Sequence, residues 1–159
     1  MSDLLVNLLK LAPLENGDQQ HFVIRRAQPF EITPVRTFVA TNFSQGWADE
    51  ISVGFARQPI SIFVATMNRE LVGFAAYECT RRGFFGPTGV IDAAQHKGIG
   101  RALLLASLSA LREMGYVYAI IGAAGPVRFY QKTVGAIIIP DSEPGIYTDL
   151  LTKPESQER

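Results

Sequence analysis

The sequence holds a single cysteine, Cys79, and only two histidines, His21 and His96, in 159 residues. One thiol forms no internal disulfide, and so few thiol and imidazole ligands assemble no metal cluster of familiar spacing. Charge of either sign is not in excess: 15 Lys and Arg balance 15 Asp and Glu, for a formal net charge of zero. Without a global field to draw in nucleic acid or an anionic membrane, neither is an expected partner, and any anion site must be local. Long apolar runs are missing too, and none of those present is long enough to span a bilayer. The opening stretch MSDLLVNLLKLAPL carries Asp3 where a signal peptide needs positive charge, and it lacks a small-residue cleavage site. It reads as a leading amphipathic helix over 1–14, packed on the domain or on a second copy in a homodimer. A cytoplasmic location is the expectation from these absences.

What is present is an ordinary globular composition, 47% hydrophobic and 19% charged, in a length that suits one domain over 1–159 with its own core. HFVIRRA reads as a strand, followed by helices over Glu31–Phe43 and Trp47–Ala56. ISIFVAT and ELVGFAAYECT, split by the short polar MNR, read as an antiparallel hairpin. GFFGPTGVI is a further strand, with Gly86, Pro87 and Gly89 pointing to a bulge or an edge. From Gly98 to Met114, Ile99, Leu103, Leu104, Leu108 and Leu111 make an apolar helical stripe, with Arg101, Ser107, Arg112 and Glu113 off it. YVYAIIG then reads as a buried strand that closes a parallel crossover. PVRFYQKTVG is a short helix between Pro126 and Gly135, AIIIP and GIYTDLL are two last strands, and KPESQER over 153–159 is a polar tail.

The crossover puts Gln95 to Gly100 at the carboxyl edge of the sheet, where ligands of open α/β sheets sit. A helix start leaves backbone N–H groups unpaired and carries about half a positive charge, so it favours an anion. Gly98 and Gly100 admit phosphate oxygens close to the backbone, and His96, Lys97 and Arg101 can add charge; otherwise these residues are a solvated first turn. The stretch is not a dinucleotide fingerprint, since Leu103 stands where a third glycine belongs, nor a P-loop, since no Lys-Ser or Lys-Thr follows a glycine at the right distance.

Gln95, Gly98 and Gly100, in the pattern Q/R-x-x-G-x-G/A leading into an apolar helix, resemble the acetyl-CoA pyrophosphate loop of the GNAT superfamily of N-acetyltransferases. RFYQKTVGA resembles that superfamily's FYxKxGF segment, and the resemblance spans roughly His21 to Leu151. It implies an α/β (α+β) fold with a GNAT-like mixed, strongly bent central sheet flanked by helices and a parallel strand-helix-strand cofactor site. The strands on either side of the long helix would splay apart to admit the pantetheine arm of acetyl-CoA. Val90 and Ile91 would offer a backbone N–H to the thioester carbonyl, and the diphosphate would rest on Gln95, His96, Lys97, Gly98, Ile99, Gly100 and Arg101. Asp92 departs from the family, standing where many members carry proline.

The resemblance further implies acetyl transfer to a primary amine of a small molecule or peptide, directly and without an acyl-enzyme. Tyr130 would be the general acid, because a phenol of pKa near 10 stays protonated at neutral pH and can give its proton to a departing thiolate; otherwise it packs the short helix onto the sheet. Many relatives carry a glutamate on the strand before the loop, but GFFGPTGVI has no carboxylate. Glu78 is then the first candidate base, unless it is a solvated strand-end charge, with Asp92 or bulk water as the others. Phe84, Phe85 and the GPTG turn would line the acceptor pocket or fill the core beneath it. Trp47 and Glu50 would discriminate acceptors, and Arg57, Arg81 and Arg82 are available to an anionic one. Cys79 has no histidine near it in sequence to activate it. The alternative is a non-catalytic CoA-binding sensor or partner module, which the missing carboxylate keeps open.

Overall fold

The computed structural model of the chain describes residues 1–14 and 21–152; the tail expected over 153–159 lies outside them. In chain order the elements are strand β1 (Leu4–Asn7), β2 (Val23–Arg26), helices α1 (Ile32–Asn42) and α2 (Gln45–Phe55), then β3 (Ile62–Met67), β4 (Glu70–Tyr77) and β5 (Phe84–Val90). Helix α3 (Ile99–Glu113), β6 (Tyr118–Ile121), α4 (Val127–Val134) and β7 (Ile137–Ile138) complete the order. The strands form one mixed sheet in the order β2-β3-β4-β5-β6-β1-β7, parallel only where β5 meets β6 across the α3 crossover. Among the described residues no helix is long and apolar enough to cross a membrane.

Alternation along the strands feeds two cores, one on each face of the sheet. Ile62, Val64, Phe74 and Ala76 meet Val35 and Val39 of α1 and Ala48 and Ile51 of α2 on one face. Ala65, Ala75, Tyr77 and Phe85 meet the α3 stripe and Tyr130 of α4 on the other. Ile99, Leu103, Leu104, Leu108 and Leu111 are all buried, each at roughly 1.5–3 kcal/mol of transfer free energy. Ser107, expected off this stripe, is fully buried as well, its hydroxyl donating to the Leu103 carbonyl at 2.9 Å.

The leading segment is not a helix. Leu4, Val6 and Leu8 are fully buried in strict alternation, and β1 fills a slot between β6 and β7, antiparallel to both. A short apolar run has no periodicity that tells strand from helix, and here two open ladders decide it; only Leu8–Lys10 turns into a short 3-10 helix. GIYTDLL forms no strand, and Tyr147 closes a turn by donating its amide to the Pro144 carbonyl at 3.1 Å. AIIIP shrinks to the two residues of β7.

The irregularity expected in GFFGPTGVI is present. Between Ala75↔Thr88 and Tyr77↔Phe85 the register shifts by one extra residue on β5, at Gly86 and Pro87. The parallel pairing of β5 with β6 stops there, after Phe85↔Ile121. Beyond it β5 continues to Val90 paired with β4 alone, so the two parallel strands part and leave the far edge of β5 open.

Candidate functional site

Helix α3 begins at the wide end of that opening. Its N-cap is Gly98, whose φ of +82° lies in the left-handed region that glycine adopts without strain, and no side chain caps the first turn. Helix α2 shows the contrast, because Ser44 there accepts a hydrogen bond from the Trp47 amide at 3.1 Å. The first bond of α3 runs from the Ala102 amide to the Gly98 carbonyl at 3.0 Å, so the amides before it stand at the open, electropositive end of the helix. A Cβ built on Gly98 would meet nothing within 4 Å, so this tip faces free space.

That space is a cavity of about 370 Å³. Of the loop residues expected to hold a ligand, Val90, Gln95, His96, Gly98, Ile99, Gly100 and Arg101 line it, whereas Lys97 and Ile91 do not. Gln95 acts within the loop, its side-chain amide donating to the Val90 carbonyl at 3.3 Å and to Asp92 at 3.2 Å. The expectation for Ile91 changes, because its N–H is already spent on the Val72 carbonyl at 2.9 Å. Antiparallel ladders alternate inward and outward bonds, so the amide of Val90 is the one turned to the open edge.

Tyr130 lines the same cavity, with its ring edge-on to Phe85 at 6.2 Å between centroids and to Phe129 at 5.2 Å. It is 5% exposed, and burial pushes its phenol up to about 12. Among the described residues its hydroxyl makes no hydrogen bond, and it keeps its proton across the whole neutral range.

Phe85 also lines a second cavity, of about 580 Å³, so this one residue borders both openings. Trp47, Glu50, Phe84 and the Gly86–Pro87 bulge bound this second space, together with Tyr147, which the sequence pattern had assigned to a strand. Trp47 is fixed by stacking on Phe43 at 5.7 Å and meeting Phe74 edge-on at 6.2 Å. Gly89 is required beneath this cluster, since a Cβ there would come within 2.5 Å of the Phe43 ring.

Glu78 is not brought to either opening. It lines a separate cavity with Arg57, is 3% exposed, and sits at φ +59°, which folds its carboxylate back onto the Gly83 amide. Tyr116 lies close by, its phenol held above the usual range first by burial and then by this carboxylate. Glu78 is therefore a buried clamp on the turn between β4 and β5, and no solvated strand-end charge. Asp92 is outside the lining too, and Arg81 donates to the Thr80 carbonyl at 2.8 Å. Cys79 is packed under α2 against Ser61, and burial pushes its thiol up, away from the thiolate a nucleophile needs.

A family model described as Acetyltransferase (GNAT) family matches residues 24–136. No curated protein sequence matches the chain. Among solved structures, a GCN5-related N-acetyltransferase from Sphaerobacter thermophilus superposes with a TM-score of 0.69 at 17% identity, over 87% of this chain and 48% of that one. A GCN5-related glucosamine N-acetyltransferase region of a fungal multi-domain GH3 beta-N-acetylglucosaminidase gives 0.67 at 15% identity, over 87% of this chain and 19% of that one. The chain thus spans about a fifth and about half of the lengths of these two proteins. A GNAT family acetyltransferase from Brucella melitensis, solved in complex with acetyl-CoA, gives 0.56 at 20% identity, over 75% of this chain and 87% of that one.

Proposed function

Because the chain belongs to the GNAT acetyltransferase family, we propose that it is an acetyl-CoA-dependent N-acetyltransferase that moves the acetyl group directly to a primary amine of a small molecule or peptide. The observation that carries this reading is the convergence on one cavity of an uncapped helix tip at Gly98, the outward amide of Val90 and the protonated phenol of Tyr130.

These residues suit coenzyme A. The amides around Gly98 and Gly100 would hold its diphosphate, with Arg101 and His96 beside them, and the open edge of β5 would receive the pantetheine arm as an added strand. Bound acetyl-CoA would supply the acetyl group as an activated thioester. Val90 would donate its N–H to the carbonyl oxygen and stabilise negative charge there as the amine attacks. Tyr130 would give its proton to the sulfur, and the amine would enter from the cavity on the far side of Phe85.

The test is free-thiol release from acetyl-CoA with a panel of small amines, polyamines, amino acids and peptide N-termini, beside calorimetry with coenzyme A. Amine-dependent release is expected. Tight coenzyme A binding with no release above background for any amine would make the protein a non-catalytic CoA-binding module instead.

A structural role for Glu78 makes a separate prediction. Glu78→Ala leaves the buried Gly83 amide without its partner and should cost about 2–3 kcal/mol in chemical denaturation, while coenzyme A affinity stays within about twofold.

A further inference from the structure

The second cavity has a chemistry that narrows the acceptor. Its walls are apolar and largely aromatic, from Trp47, Phe84, Phe85, Tyr147, Pro87 and Leu150. Its volume of about 580 Å³ falls inside the range of small-molecule pockets, roughly 300–1,000 Å³. Among the described residues, the only charged side chains lining it are two carboxylates, Glu50 and Glu143. Glu143 is engaged by the amino group of Met1. Glu50 is steadied by the Thr80 hydroxyl, which donates to one carboxylate oxygen; among the described residues the other oxygen accepts no hydrogen bond. Trp47 and Glu50 stand three residues apart on α2, so indole and carboxylate share one helix face. The Tyr147 phenol is pushed up, first by burial and then by Glu50 and Asp3, against a smaller opposing effect of Arg81, which is outside the lining. Of the other arginines, Arg57 lines the separate cavity of Glu78, and Arg82 lines neither opening.

We propose that the acceptor is a cationic primary amine on an apolar, aromatic body, and that Glu50 is the carboxylate that selects it and takes its proton; this rests on the acetyltransferase reading above. An aromatic body fills the walls, and the ammonium is drawn to Glu50, the lining carboxylate that forms no ion pair among the described residues. Anionic acceptors are turned away by the same charge. Glu50 accepts one N–H proton of the ammonium, through a water where the two are not in contact, and passes it to solvent. The freed nitrogen bonds to the acetyl carbon while the C–S bond breaks, and Tyr130 gives its proton to the sulfur. The second N–H proton restores Tyr130, so the net products are an amide, a thiol and one released proton.

The experiment compares 2-phenylethylamine and tryptamine with glutamate, glucosamine and spermidine in the thiol-release assay, on the wild type, Glu50→Gln and Glu50→Lys. Coenzyme A affinity, measured by calorimetry, serves as the check that each variant is folded. Expected are a kcat/KM at least about 10-fold higher for the two arylalkyl amines and a KM for them raised at least about 10-fold in Glu50→Gln, with coenzyme A affinity within about twofold. Glu50→Lys should shift the preference toward glutamate. Glutamate, glucosamine or spermidine as the best wild-type acceptor overturns the proposal and leaves the acetyltransferase reading standing, as does an unchanged KM in Glu50→Gln. No release with any amine overturns the acetyltransferase reading itself and the proposal with it.

Discussion

Replacing Gly100 by aspartate is expected to weaken coenzyme A binding by about 100- to 1,000-fold while the fold becomes no less stable. The two effects have opposite signs because one group of amides serves both. Gly100 lies in the first turn of α3, and a Cβ there would make only an ordinary contact with Val90 at 3.9 Å, so a side chain is accommodated. A carboxylate in that turn complements the helix dipole, worth about 0.3–1 kcal/mol, and glycine's helix penalty is partly relieved. The same carboxylate occupies the space proposed for the diphosphate. At about 5 Å and an effective dielectric of about 20, each like-charge pair costs roughly 3 kcal/mol, which is the origin of the expected loss. Calorimetry with coenzyme A and a thermal melt read the two quantities separately. Gly100→Asn has nearly the same shape without the charge, so the gap between the two variants isolates the electrostatic part. An aspartate variant that binds coenzyme A like the wild type would remove the helix tip from the site.

The loop around Gly98 was legible in the sequence because its chemistry is local: glycines, a helix start and a strand end are consecutive, and the crossover rule supplies the edge. Tyr130 was legible for a similar reason, since a short helix after the next parallel strand must return to that edge. The misreadings share a different cause. β1 is fixed by two ladders from the far end of the chain, and nothing within LLVN distinguishes this from a helical turn. Tyr147, expected in a strand, lies in a turn and lines the second cavity, a placement set by contacts far apart in sequence. Which of Val90 and Ile91 keeps a free amide depends on ladder parity, and parity is set by the partner strand. Glu78 is buried rather than solvated because its left-handed backbone, uncommon in a non-glycine residue, turns the carboxylate inward onto the Gly83 amide. That Trp47 and Glu50 share a face of α2 is visible in their spacing, whereas the cavity they line is visible only in the fold.

Tyr130→Phe is expected to lower kcat by about 100- to 10,000-fold, the range in which a positioned general acid acts, with coenzyme A affinity changed by no more than about twofold. The asymmetry follows from what each part of the side chain does. The ring is held between Phe85 and Phe129, and phenylalanine keeps that packing, whereas the hydroxyl makes no hydrogen bond among the described residues and its loss leaves no buried partner stranded. Stability at neutral pH should therefore be nearly unchanged. At high pH the two proteins should part. Burial pushes the native phenol up to about 12, and an unfolded tyrosine titrates near 10. The unfolded chain then loses its proton first, so Tyr130 gives its full stabilisation below about pH 10 and loses it as pH rises toward 12, about 3 kcal/mol in all. The phenylalanine variant lacks that loss, and its alkaline unfolding midpoint should lie higher. The rate profile of the wild type should likewise show no falling limb from Tyr130 below about pH 11. Full turnover of Tyr130→Phe at saturating acetyl-CoA and amine would show that the sulfur takes its proton from elsewhere, while the alkaline difference alone would still report a buried phenol.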